Sequence, residues 1–178
     1  MLARGGLKGK LTVAHALVMD GIEIRLFQPG DRDWLVAMHR DHYAREEGFD
    51  ESFGTLVAGI VDDFLASHDP DREAGWIAWQ GEERLGSIFC VALTPVIAKL
   101  RLFLLAPQAR GRGLGYRLLQ TCTGFARAQG YTDMQLWTHE SHKAAGRLYA
   151  SAGWTLTDSK PVVSFGKENV EQNWAIRL

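Results

Sequence analysis

The chain predicts a mixed α/β fold in which helices and strands interleave around one sheet. Three observations carry this. Alternating and helical periodicities follow one another in the order β-α-α-β-β-β-α-β-α-β-β. Two strand candidates in the middle of the chain are joined by a hairpin-like turn at Gly81-Glu82-Glu83. A glycine-rich stretch then links an apolar strand to an amphipathic helix, as a β-α-β unit requires.

The elements read in order as follows. Ile22, Ile24 and Leu26 alternate with Glu23 and Arg25, which predicts a half-buried first strand. Pro29-Gly30-Asp31 ends it, and Asp31 is the expected N-cap of a helix bearing Trp34, Leu35 and Met38. A second helix starts near Glu51, with Phe53, Leu56, Val57, Ile60 and Phe64 at helical spacing, and stops at His68-Asp69-Pro70. Trp76–Trp79 and Leu85–Leu93 are the hairpin strands. Leu100–Leu105 is almost continuously apolar, as expected of a strand buried on both faces. Leu114, Leu118, Cys122 and Phe125 form one helical stripe that Gly130 ends. Asp133–Thr138 alternates again, with Trp137 opposite Met134 and Leu136. A short helix bearing Ala145, Leu148 and Tyr149 follows, with Ser141 as its expected cap and Gly153 as its end. Strands are expected at Trp154–Leu156 and Trp174–Leu178, with the polar segment Asp158–Asn173 as a long loop between them.

At 178 residues the chain suits one domain, read here as residues 21–178 after a poorly ordered leader, residues 1–20. A net charge of -1 gives no global pull toward nucleic acid or an anionic membrane. No apolar run approaches the length of about 20 residues that a membrane helix needs. Cys90 and Cys122 are too few for a disulfide scaffold and read as buried thiols of a cytoplasmic protein. His39/His42 and His139/His142 are spaced i, i+3, but no third ligand accompanies either pair, so no metal is expected.

The run Ala106-Pro107-Gln108-Ala109-Arg110-Gly111-Arg112-Gly113-Leu114-Gly115 carries the functional signal. Glycine permits close backbone approach to a ligand, and helix-start amides attract anions. A mere strand-to-helix turn needs neither alternate glycines nor two arginines. Gln108 to Gly113, and Arg110 to Gly115 in an overlapping register, fit the pattern Gln/Arg-x-x-Gly-x-Gly/Ala. Ala145 to Trp154 fits a later block, Ala-x-x-Leu-Tyr-x-x-x-Gly-Phe. Over residues 22–178 the chain thus resembles the GNAT acetyltransferases. Tyr43–Asp50 and Ser164–Lys167 look like the branch whose domains follow a MarR-type regulator.

The resemblance implies the acyl-CoA N-acyltransferase fold: a mostly antiparallel sheet, helices on both faces, and a splayed strand pair. It implies acetyl transfer from acetyl-CoA to an unidentified amine, small molecule or protein, by direct attack. Main-chain groups of Phe103, Leu104 and Leu105 would pair with the pantetheine arm. The Arg110, Gly111, Arg112, Gly113, Leu114 and Gly115 segment would hold the pyrophosphate. Tyr149 would protonate the departing thiolate. His142 stands where the family often has Asn on CoA. The central strand offers Arg101 where many members carry a carboxylate, so the base is sought among Glu46, Glu47, His39, His42 or water. A homodimer is also suggested. The missing carboxylate keeps a second class open, a non-catalytic acyl-CoA sensor or interaction module. Acceptor specificity is expected in Tyr43–Asp50 and Asp158–Asn173.

Overall fold

The structure, a computed structural model, describes residues 21–178; the expected leader lies outside the described residues. Seven strands form one sheet in the order β1-β2-β3-β4-β5-β7-β6. In chain order the elements are β1 (Ile22–Leu26), α1 (Arg32–Glu47), α2 (Glu51–Ser67), β2 (Ala74–Gln80), β3 (Glu83–Ala92), β4 (Ile97–Leu105), α3 (Leu114–Ala128), β5 (Asp133–His139), α4 (Lys143–Ser151), β6 (Thr155–Ser164) and β7 (Lys167–Arg177). The pairings are antiparallel except β4 with β5, which the α3 crossover makes parallel. The sheet is therefore mixed and mostly antiparallel.

Two apolar cores cover its faces. On one, Leu35, Phe49, Phe53, Val57, Val61 and Phe64 from the α1–α2 half pack against Ile77 and Phe89. On the other, Leu114, Leu118, Leu119 and Cys122 of α3, with Tyr149 of α4, pack against Ile88, Cys90, Leu100, Met134 and Leu136. Most of the helical stripes seen in the sequence fill these cores, but in α2 Leu56 and Ile60 stay outside them and line a cavity, while Val61 is buried instead.

Local signals acted partly otherwise than expected. Asp31 holds the N-cap position of α1, but its side chain bonds no helix amide. It is buried and accepts from Gln28 N–H and from Arg84 Nε, each at 2.9 Å, so it staples the α1 entry to β3. Asp50 caps α2 through Ser52 N–H. The α4 N-cap is His142, not Ser141. The expected loop Asp158–Asn173 is a long hairpin, in which β6 and β7 pair down to Ser164–Lys167. Its two turn residues, Phe165 and Gly166, have φ of 53° and 80°, the sign a tight hairpin turn demands. β6 is an edge strand exposed on both faces, so it never needed the apolar alternation that marks a half-buried strand.

β4 also departs from expectation. Its register against β3 slips by one residue between Arg101 and Leu104, a bulge centred on Leu102, whose φ is 49°. Ser87 Oγ donates to the Leu102 carbonyl at 2.6 Å. Across from it, β3 comes so close that a Cβ on Gly86 would sit 2.7 Å from the Leu104 carbonyl oxygen. Gly86→Ala is therefore expected to destabilise the fold by about 1–3 kcal/mol, because backbone rather than a side-chain tip must yield. Chemical denaturation of the variant beside the parent checks this.

Candidate active site

The bulge opens the sheet. β4 pairs with β5 only from Ile97–Asp133 to Leu100–Leu136, while β5 continues to pair with β7 as far as His139. Beyond Leu100 the two strands diverge, and β4 presents the backbone of Arg101–Leu105 without a ladder partner on that side. Such groups seek hydrogen bonds. The strand expected to be buried on both faces is accordingly half-exposed along Arg101–Phe103. The bulge also resets the side-chain phase. Leu100 belongs to the α3 side, Leu102 to the α1–α2 side, and Phe103 and Leu105 return to the α3 side.

After β4, a turn at Pro107–Ala109 leads through Arg110–Gly113 into α3. Gly111 and Gly113 have φ of 72° and 74°, and a Cβ on either would meet nothing within 4 Å. They are needed for chain direction, and the space beside them is open. Leu114 and Gly115 form the first turn of α3, whose N–H groups lack intrahelical acceptors. These features fit a pyrophosphate. The two arginine side chains are engaged elsewhere. Arg110 Nη2 lies 3.1 Å from Glu46 Oε1 and 3.2 Å from His42 Nδ1. Arg112 Nη1 donates to Gln80 Oε1 at 3.2 Å. In this arrangement the loop offers a ligand its main chain, not those guanidinium groups.

A cavity of about 370 Å³ runs through the sheet where β4 and β5 part. Tyr149 and Ala145 of α4 line it on one side; His39, Tyr43, Phe53 and Leu56 line it from α1 and α2. Phe165, at the tip of the β6–β7 hairpin, roofs it and packs on Phe49 and Phe53 with ring centroids 4.9 and 5.0 Å apart. The tip is tied down by Asp50 N–H to the Phe165 carbonyl and by Lys167 Nζ to the Glu47 carbonyl, at 3.1 and 2.7 Å. The two segments expected to set acceptor specificity therefore meet here.

The polar groups of the cavity are specific. His39 Nδ1 donates to the Leu35 carbonyl at 2.9 Å, which leaves Nε2 as a lone pair with no partner. His139 Nε2 is likewise buried and unpartnered. Burial pushes both imidazoles down to about 4. His142 Nε2 lies 3.3 Å from Glu47 Oε1, and its Nδ1 lies 3.2 Å from Thr138 Oγ1. Burial lowers the His142 pKa, and Glu47 opposes that shift. Tyr149 is buried against Phe103, and burial raises its pKa well above the ordinary tyrosine value. It is therefore protonated at every physiological pH.

Of the candidate bases, His39 and the Glu47–His142 pair reach the cavity. Glu46 and His42 face Arg110 beside it. All four candidates lie on α1, which runs on to Glu47 rather than ending before the acids. His139 and His142 do not share a helix: one ends β5 and the other caps α4. Among the described residues no group of three His, Cys, Asp or Glu is placed to hold a metal ion. Sequence reading missed Thr138, although the alternation along β5 places it on the Leu136 face, a signal that was available. Phe165 fell within the expected Asp158–Asn173 segment, but nothing in the sequence singled out that residue.

His39 and His139 couple stability to pH. Each binds a proton in the unfolded chain near pH 6.5 but resists it in the fold until about pH 4. The unfolded state thus holds more protons between these values, and stability falls as pH drops through that window. A loss on the order of a few kcal/mol is expected between pH 6.5 and 4. Thermal melts across that range test it, and His139→Gln should flatten the decline.

A model of the acetyltransferase (GNAT) family matches residues 32–154. N-acetyltransferase 8B of Rattus norvegicus is 36% identical over 101 residues, 53% of this chain and 46% of that protein. Mycothiol acetyltransferase of Streptomyces griseus is 26% identical over 160 residues, 82% of this chain and 47% of that protein. The chain spans about half the length of the curated relatives it matches. Among solved structures, an acetyltransferase from Salmonella typhimurium with its cofactor acetyl-CoA has a TM-score of 0.72 at 16% identity, covering 89% of this chain and 95% of that one. Spermidine N-acetyltransferase from Vibrio cholerae, in complex with CoA and spermine, has a TM-score of 0.69 at 14% identity, covering 89% and 96%. At such identities the solved structures speak for the fold alone. The fold, the glycine loop and the family match agree: the chain belongs to the GNAT family of acetyltransferases.

Proposed function

We propose that this chain transfers the acetyl group of acetyl-CoA to a primary amine by direct attack. The observation that carries the reading is the cavity through the splayed sheet. It joins the open edge of β4 and the α4 side chains Ala145 and Tyr149 on one side to a pocket under α1 and α2 on the other. Donor and acceptor can thus approach one point from opposite faces, and bringing two reactants together is a large part of such catalysis.

In this reading the amides of Gly111–Gly115 bind the pyrophosphate, and the backbone of Phe103–Leu105 takes the pantetheine arm as an added strand. A free N–H near Leu105 polarises the thioester carbonyl. The amine nitrogen attacks the carbonyl carbon; a C–N bond forms and the C–S bond breaks. The proton leaving nitrogen passes to Thr138 Oγ1 while the hydroxyl proton moves to His142 Nδ1, and Glu47 balances the imidazolium. Tyr149 donates to the departing sulfur. The phenol's raised pKa is no obstacle, because the same burial raises the basicity of a thiolate beside it. This relay supplies the base that β4 lacks, and it weighs against a non-catalytic sensor.

Three further parts complete the proposal, the first two resting on resemblance. The likeness to MarR-linked acetyltransferase domains falls on two stretches that meet at the cavity roof. A homodimer, which light scattering would test, and a cytoplasmic setting suited to free Cys90 and Cys122 complete it.

Thiol release with a broad amine panel tests the reaction, and silence with every amine overturns it. Tyr149→Phe should lower kcat by about 10² with little change in the KM for acetyl-CoA. Unchanged turnover removes Tyr149 from the mechanism. His142 acts only when neutral, so kcat should fall on the acid side with a midpoint below 6.5. Glu47→Gln removes the influence that raises the His142 pKa, so this limb should move to lower pH while the plateau drops.

A further inference from the structure

We propose that the acceptor amine carries an oxyanion, a carboxylate or phosphate, which Lys99 and Arg101 hold beside an apolar pocket on α2. This rests on the acyl-transfer reading above.

Lys99 and Arg101 stand two residues apart on β4, opposite Val91 and Phe89 of β3. Directly opposed residues share a face, and Val91 and Phe89 belong to the α1–α2 core. Both cations therefore point to the side from which an amine would enter, and both line the cavity. Both are half-buried, in an interior strand of the sheet. Among the described residues neither side chain has an ion pair or hydrogen bond. The acids at the end of α1 are occupied, Glu46 by Arg110 and His42 and Glu47 by His142. Burial and the Arg101 charge push the Lys99 pKa down, with no carboxylate opposing them. Two like charges on one face of a strand repel, and burial adds desolvation to that cost. An entering anion relieves both.

The remaining lining limits the rest of the acceptor. Leu56, Val57 and Ile60 of α2, with Phe53 and Trp137, give an apolar wall. A cavity of about 370 Å³, shared with the acetyl group, suits a small molecule rather than a folded protein surface. Arg101, Trp137 and Thr138 line this same cavity. Amine and anion thus fit within one compact molecule, such as an amino acid with an apolar side chain. Polyamines are disfavoured, because their second cation would face Lys99 and Arg101.

The experiment has a kinetic and a binding arm. Thiol release is measured with phenylalanine, phenylalaninamide, phenethylamine, phosphoethanolamine and spermidine. Calorimetry compares N-acetylphenylalanine with its amide, so that binding is read without turnover. The oxyanion-bearing amines should exceed their neutral counterparts at least tenfold in kcat/KM, with phenylalanine against phosphoethanolamine deciding between carboxylate and phosphate. Arg101→Gln and Lys99→Gln should abolish that preference, and Arg101→Lys should keep part of it. Circular dichroism confirms that each variant is folded. Equal use of acid and amide, or preference for spermidine, overturns the anion site while leaving acetyl transfer intact. Acid-selective binding without turnover of any amine supports the anion site and overturns acetyl transfer instead.

Discussion

One constraint organises this molecule: the bulge at Leu102, held between Ser87 and the close approach of Gly86. A regular β4 would continue its parallel ladder with β5 and leave no gap. The extra residue ends that ladder at Leu100, bends the strand away, and turns Phe103 and Leu105 toward α3 and α4. From that one departure follow the open backbone edge, the cavity through the sheet and the contact between Phe103 and Tyr149. A leucine with positive φ is costly on its own. The hydroxyl bond from Ser87 and two flanking cores hold it in place, so the cost of the opening is distributed over β3, α2 and α3.

Within that opening, burial controls the proton states. Histidines 39, 139 and 142 are held neutral by the removal of water, and the phenols of Tyr43 and Tyr149 are held protonated by the same cause. Neutral imidazoles beside permanent donors form a site that can accept a proton from one reactant and offer one to the other. Placing Glu47 against His142 rather than inside the cavity adds basicity without bringing a free negative charge to the acceptor pocket. A free acid there would neutralise Lys99 and Arg101. The cations on β4 and the acids at the end of α1 therefore stay separate, each acid with its own partner.

The sequence exposed the donor half of the site far more clearly than the acceptor half, for a physical reason. Binding a pyrophosphate through main chain demands glycines at fixed spacing before a helix, and that spacing is visible at Gly111 and Gly113. The order and type of the elements were visible too, since apolar periodicity reports which face is buried. Failures arose where no face is buried or where a local choice serves a distant contact. From Asp158 on, β6 reads as loop because both its faces meet solvent. Asp31 looks like a cap, but its oxygens answer Arg84, 53 residues away. The bulge leaves no mark in an apolar run, because nothing in Leu-Arg-Leu-Phe-Leu-Leu says which residue is extra.

The acceptor half is built instead from side chains that meet only in three dimensions, and its roof and its relay share a residue. Glu47 ends α1. Its carbonyl receives Lys167 from the hairpin that carries Phe165, while its carboxylate faces His142. Any molecule that seats Phe165 more firmly also steadies the end of α1 and, with it, the Glu47–His142 contact. In the proposed mechanism, acceptor binding and proton acceptance are coupled through one residue rather than through a long path. An acceptor that fills the pocket poorly would leave the roof loose and the carboxylate less well placed, and would lose rate as well as affinity. On the proposed mechanism, selection among amines is thereby written into the chemical step as well as into the pocket.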